Sequence, residues 1–139
     1  MSKAWLSQMP VSKARSGYFV SARVRPVPSG IAAVAESYGA SEVHSRQIRA
    51  LGQAGDALVL IAGSPGGAGL GPAVRAAHAR EMRIIALTAG EGGEPAAALG
   101  PADIELRVPS DDPYRVSECQ LLLLNALSAL IELRLFGEV

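Results

Sequence analysis

The chain has 139 residues, 49% of them hydrophobic and 19% charged, with a formal net charge of zero. That composition describes one globular domain with a core of its own and excludes a disordered chain. Zero net charge with only 4% aromatic residues gives no bulk electrostatic basis for binding nucleic acid or a membrane surface.

Residues 1–28 read as a weakly structured N-terminal segment, and residues 29–139 as the folded domain. Ala4 to Met9 allows a turn or two of helix before Pro10 stops it. Pro10, Lys13 and Arg15 follow too soon for a signal peptide. Phe19 to Val24 is a candidate strand, ended by Arg25-Pro-Val-Pro28. Ser29 suits the N-cap of a short helix over Ile31 to Ser37, closed by Gly39. Ser41 suits the cap of a second helix running to about Gly52, with Val43, Ile48 and Leu51 inward.

A regular alternation follows. Strand Ala57–Ile61 leads to a helix over Leu70–Arg80, and strand Arg83–Leu87 to a short helix over Pro95–Leu99. Strand Asp103–Val108 leads to a long helix over Pro113–Phe136. Apolar strands alternating with helices predict an α/β fold, a parallel sheet covered on both faces. Right-handed crossovers gather the turns 62–69, 88–93 and 109–113 at one edge, where ligands of such sheets bind. The last helix is apolar on nearly every side, from Leu121-Leu-Leu-Leu124 to Phe136. It therefore forms a subunit interface or lies centrally on one face of the sheet. No apolar run reaches the ~18 residues of a membrane span. The one cysteine, Cys119, rules out an internal disulfide and fits a reducing cytoplasm.

The most informative stretch is Ala57-Leu-Val-Leu-Ile-Ala-Gly-Ser-Pro-Gly-Gly-Ala-Gly-Leu-Gly71. A buried strand, a glycine-rich turn and a helix start aim backbone N–H groups at an anion, usually a phosphate. The turn has no P-loop lysine, and its one hydroxyl is Ser64. Ser64 either contacts phosphate or satisfies its own backbone. A hydrolase elbow at Ala62-Gly-Ser-Pro-Gly66 needs a later acid and then a histidine, and no histidine follows His78. His44, His78 and Cys119 have no metal-ligand spacing, so no metal and no cofactor is expected. Both histidines read as solvated helix residues, as do Glu91 and Glu94 in their loop.

Several segments together are specific. Ala33-Val-Ala-Glu-Ser-Tyr-Gly-Ala-Ser-Glu-Val-His-Ser-Arg-Gln-Ile-Arg-Ala-Leu-Gly52, Ala54-Gly-Asp56, Ile84-Ile-Ala-Leu-Thr88, Gly92-Gly93, Asp103-Ile-Glu-Leu-Arg-Val-Pro-Ser110 and Arg115-Val-Ser-Glu118 resemble the phosphoheptose isomerase group of sugar isomerase (SIS) domains. The match runs nearly ungapped over roughly residues 30–136. It implies a three-layer, flavodoxin-like α/β/α sandwich and a homodimer or homotetramer with sites between subunits. It also implies a phosphosugar ligand held by a Ser/Thr-rich loop after a strand. The family's first strand, with its Gly-rich loop and catalytic Glu, has no counterpart in the matched region.

Carried over position by position, the family's Ser-Thr-Ser-Gly-Asn-Ser loop falls on Ala62, Gly63, Ser64, Pro65, Gly66 and Gly67. Only Ser64 and backbone donors remain, and Pro65 has no N–H. The family's Asn-Asp pair before Tyr-Gly becomes Glu36-Ser37. The Gln and His of its last helix become Ser117 and Asn125, and a His often found between them becomes Gln120. Asn has no proton to exchange near neutral pH and cannot serve as a general base, so no catalytic residue is assigned. The resemblance implies a phosphosugar site at Gly63, Ser64, Gly66, Gly67, Arg115 and Glu118. Arg115 and Glu118 also suit a plain helix start, paired with Asp111 or Asp112.

One branch of the family, the DnaA initiator-associating proteins, carries Asn at the catalytic His position, as Asn125 does here. It also has a Leu-Gly-Pro-x-Asp segment like Leu99-Gly-Pro-Ala-Asp103 and a terminal Leu-Phe like Leu135-Phe136. The resemblance implies a non-catalytic cytoplasmic scaffold that binds the replication initiator DnaA, with Leu135 and Phe136 on the contact surface. The alternative is a phosphosugar-binding protein or a sedoheptulose 7-phosphate isomerase with a degenerate site.

Overall fold

The computed structural model describes residues 28–63, 67 and 69–137. The N-terminal turn and the strand expected over Phe19–Val24 lie outside the described residues. Helix α1 spans Pro28–Tyr38, so Ser29 sits inside its first turn rather than capping it. Gly39, at φ +90°, ends it. A 3-10 turn over Ala40–Glu42 absorbs Ser41, and α2 spans Val43–Leu51 with no side-chain cap. Val43 is buried and Ile48 packs on the core, but Leu51 is exposed, contrary to its expected inward placement.

Strand β1 spans Ala57–Ile61, as expected from an apolar run flanked by turn residues. Helix α3 spans Gly71–His78, β2 Arg83–Ala89, α4 Gly93–Ala98, β3 Ile104–Val108 and α5 Pro113–Phe136. The three strands are parallel in the order β1-β2-β3. Helix α3 stops short of Arg80 because the chain reverses at Glu81. Glu81 has φ +55°, and the Met82 N–H reaches back to the Ala77 carbonyl. This is the left-handed reversal that usually ends on glycine.

Alternation along the strands sorts the side chains onto two faces. Leu60, Ala62, Ile84 and Ala86 pack against Ala73, Val74 and Ala77 of α3, with Ile48 of α2 and Ala98 of α4 beside them. On the other face Ala89 and Val108 pack under Val116 and Leu123 of α5. That second face is only partly covered: Val59, Ile61 and Ile104 stay exposed, a correction to the expectation of two covered faces. Helix α5 is long and apolar enough, by length and composition, to cross a membrane. Its buried Val116 and Gln120 nevertheless fix it to the sheet.

Candidate functional site

The turns after β1, β2 and β3 meet at the carboxyl edge of the sheet. After β1, Ala62 is still in the sheet, its N–H bonded to the Leu87 carbonyl at 2.8 Å. Gly63 is exposed with open space around it, while Ser64 and Gly66 lie outside the described residues. Gly67 is buried at φ +52°, and a Cβ there would lie 2.8 Å from Cγ and Cδ of Pro95. Close approach by α4 is therefore what demands glycine at this position.

Helix α4 supplies a contact to this turn through Glu94, a residue that is nevertheless exposed, as expected. The Gly69 N–H donates to Oε2 of Glu94 at 3.0 Å. The Glu94 carboxylate also lies against Gly71, the first residue of α3, where a Cβ would come within 2.7 Å of its Cγ. Arg75 stands 4.0 Å from Oε1. The start of α3 and the N–H before it thus face a carboxylate of the chain itself, where an anion is favoured. Beside Gly69 a shallow recess of about 270 Å³ is lined by Ala40, Ser41 and His44.

Thr88, fully buried at the end of β2, donates its hydroxyl to Glu105 at 2.6 Å. Glu105 is gripped in two-pronged fashion by Arg107, at 2.9 and 2.8 Å. The Arg107 fork, and then Thr88, hold the Glu105 carboxyl below its usual range despite some burial. Glu105 in turn raises Arg107. All three polar groups serve one another and leave Thr88 no hydroxyl hydrogen for a ligand.

At the start of α5, Asp112 accepts the Tyr114 N–H at 2.9 Å and caps the helix. Arg115 and Glu118 are exposed, and neither forms an ion pair among the described residues. The expected pairing of Arg115 with Asp111 or Asp112 is therefore not present. The Ser117 hydroxyl donates to the Pro113 carbonyl at 2.8 Å, and Asn125 is exposed. Gln120 is buried: its Nε2 donates to the carbonyls of Ala62 at 2.9 Å and Leu87 at 3.4 Å. It pins α5 across the ends of β1 and β2. Its spacing of four from Val116 puts it on the buried face of the helix, and that spacing was the available signal. Phe136 is 72% exposed.

His78 belongs to the opposite end of the sheet. Its Nε2 is 2.6 Å from Oδ2 of Asp103, a nearly buried side chain. Asp103 also accepts the N–H groups of Gly100 at 2.8 Å and Ile84 at 3.1 Å. Burial pushes the Asp103 carboxyl up. The Gly100 N–H, His78 and the Ile84 N–H outweigh it and hold the carboxyl below its ordinary value. His78 is exposed at the end of α3, as expected of a solvated helix residue, and also ties α3 to Asp103, the residue before β3.

No family model matches the chain. The phosphoheptose isomerase of Chromohalobacter salexigens is 45% identical over 109 residues, covering 78% of this chain and 55% of that protein. The DnaA initiator-associating protein DiaA of Pectobacterium carotovorum is 42% identical over 106 residues, covering 76% and 54%. A solved phosphoheptose isomerase from Neisseria gonorrhoeae superposes with a TM-score of 0.70 at 44% identity, over 74% of this chain and 57% of that one. The chain spans little more than half the length of the relatives it matches. With a parallel sheet carrying the same segments in the same order, the matched residues belong to the sugar isomerase (SIS) domain family, in the group that includes phosphoheptose isomerases and DiaA.

Proposed function

We propose that this chain is a non-catalytic SIS-domain protein of the DiaA kind. It is a self-associating scaffold of the bacterial cytoplasm that binds the replication initiator DnaA. The observation that carries this reading is the state of the two α5 positions where the isomerases place Gln and His. Ser117 has its hydroxyl committed to its own helix, and Asn125 is exposed and not titratable. Isomerising a phosphosugar requires a positioned base and a held phosphate. The similarity to DiaA over 76% of the chain supports the partner. The exposed apolar side chains Leu121, Leu122, Leu130, Leu133 and Phe136 on α5 support self-association into a dimer or tetramer.

A second reading keeps the phosphosugar, as a bound ligand or a substrate. It is favoured by the phosphoheptose isomerases among the relatives and by His44 beside Gly69. In it Gly63, Ser64, Gly66 and Gly67 face the phosphate, with Arg115 and Glu118 at the mouth. Binding of DnaA to the immobilised chain, by interferometry, tests the first reading. The double substitution Leu135→Ala with Phe136→Ala is expected to weaken that binding at least tenfold. Binding that survives it removes this pair from the contact surface, and no binding by the unmodified chain removes the scaffold role.

A further inference from the structure

We infer that the outer edge of β1 receives the chain's own segment Phe19–Val24 as a further parallel strand, seated beneath α2. This docking is independent of both the scaffold and the phosphosugar readings.

The sheet has two outer edges, and they differ. Among the described residues β1 pairs only with β2, and so does β3. The β3 edge carries Glu105 and Arg107, and charged side chains on an edge discourage further pairing. Strand β1, Ala57-Leu-Val-Leu-Ile61, carries no charge. The Asp56 carbonyl and the Ala62 N–H both bond to β2 or its first residue. Backbone groups alternate sides along a strand, so the N–H groups of Val59 and Ile61 point away from β2.

The helix layer extends past this edge. Helix α2 packs on α3, and α3 on α4, and all three contribute to the core on one face of the sheet. Helix α2 therefore lies outside α3, over the position next to β1. Ser41, just before α2, lies against Gly69 beyond the carboxyl end of β1, and Gly52, just after it, lies against Met82 ahead of β2. It thus runs antiparallel to the strands, as a crossover helix must. Leu51 shares the face of Ile48, one turn away, yet is 47% exposed. The steps from β1 through α3 to β2 and from β2 through α4 to β3 move in one direction with their helices on one face. A strand that enters β1 through α1 and α2 on that face keeps the same hand only from the far side of β1. Residues 1–27 end where α1 begins at Pro28. Within them Phe19-Val-Ser-Ala-Arg-Val24 is a β-favouring run, separated from α1 only by Arg25-Pro-Val27. Val20, Ala22 and Val24 alternate with Phe19, Ser21 and Arg23. That gives an apolar side for α2 and a charge to protect the new edge. The occupant is therefore this segment rather than a foreign strand.

The test is hydrogen exchange and NOE spectroscopy on the full, unmodified chain labelled with ¹⁵N and ¹³C. The Val59 and Ile61 amides are expected to exchange within about tenfold of the Leu60 amide, which faces β2, and to show NOEs to residues 19–24. Exchange at Val59 and Ile61 at least a hundredfold faster than at Leu60 leaves the edge open and overturns the docking. Slow exchange with NOEs to any other part of the chain, or protection that falls on dilution, also overturns it and assigns the edge to another segment or a second copy. Ser21→Pro and Ala22→Pro supply a second reading. Adjacent residues donate to opposite sides of a strand, so one of the two removes an N–H aimed at β1. That variant should speed exchange at Val59 and Ile61 at least tenfold, with the buried Leu87 amide as the control for folding. Unchanged exchange in both variants overturns the placement, and the NOE result decides alone if a proline unfolds the chain.

Discussion

The two faces of the sheet are built to different standards. On the face toward α3, small residues at Ala73 and Ala77 let the helix settle close to Leu60, Ile84 and Ala86, and all five are buried. On the face toward α5, Val116 and Gln120 reach the sheet, while Leu122 is 69% exposed and Ile104 54%. The first face is a finished core and holds the domain together. The second leaves on both sheet and helix the apolar surface that a partner chain would cover. Under the proposed self-association, stability and association are separated by the plane of the sheet, and substitutions on the two sides should fail in different ways.

The largest effect is expected on the finished face. Ile84→Ala empties a fully enclosed position and should cost about 3 kcal/mol in urea unfolding. Ile61→Ala, on the other face, should cost under about 1 kcal/mol in the isolated chain, because that side chain is still largely in water. Equal costs would mean that the second face is already covered.

Asp103→Ala should cost about 2–3 kcal/mol, since it leaves the Gly100 and Ile84 N–H groups without their acceptor. The pH dependence has a definite sign. Folding lowers this carboxyl's pKa, so its contribution is complete above the unfolded value of ~3.9. It is lost as pH falls through the lower folded value. The gap between the unmodified chain and Asp103→Asn should therefore be constant near neutrality and shrink in acid. A gap that widens in acid would contradict the assignment.

Gln120→Leu is expected to cost about 1–2 kcal/mol, by leaving the Ala62 carbonyl without its side-chain donor beneath α5, while the Leu87 carbonyl keeps the Ala62 N–H. Of the changes at buried positions it is the smallest, and it bears on whether α5 is held by polar staples as well as by burial. A neutral result would assign the helix to apolar packing alone.

The elements were legible where local chemistry is unambiguous. Strand β1 and helix α5 fall on their expected limits because Asp56 and Gly63 flank one apolar run, and Asp112-Pro113 and Gly137 bound the other. The early end of α3 was not legible, since it depends on Glu81 taking a left-handed conformation that its residue type does not announce. At the site, the missing hydroxyls and the Asn125 replacement could be read from the chain. The Glu94 to Gly69 bond could not, because it joins residues 25 apart. The link from Gln120 to Ala62 spans 58 residues. The bond from His78 to Asp103 was not legible either, since it too joins residues 25 apart.

The most direct test of the account is an assay of the full chain for isomerisation of sedoheptulose 7-phosphate, read by NMR of the sugar. A domain with serine and asparagine in the proton-transfer positions is predicted to give no conversion above the protein-free rate. Conversion that scales with protein concentration and is lost in Asn125→Ala would contradict the non-catalytic reading and make the chain an isomerase.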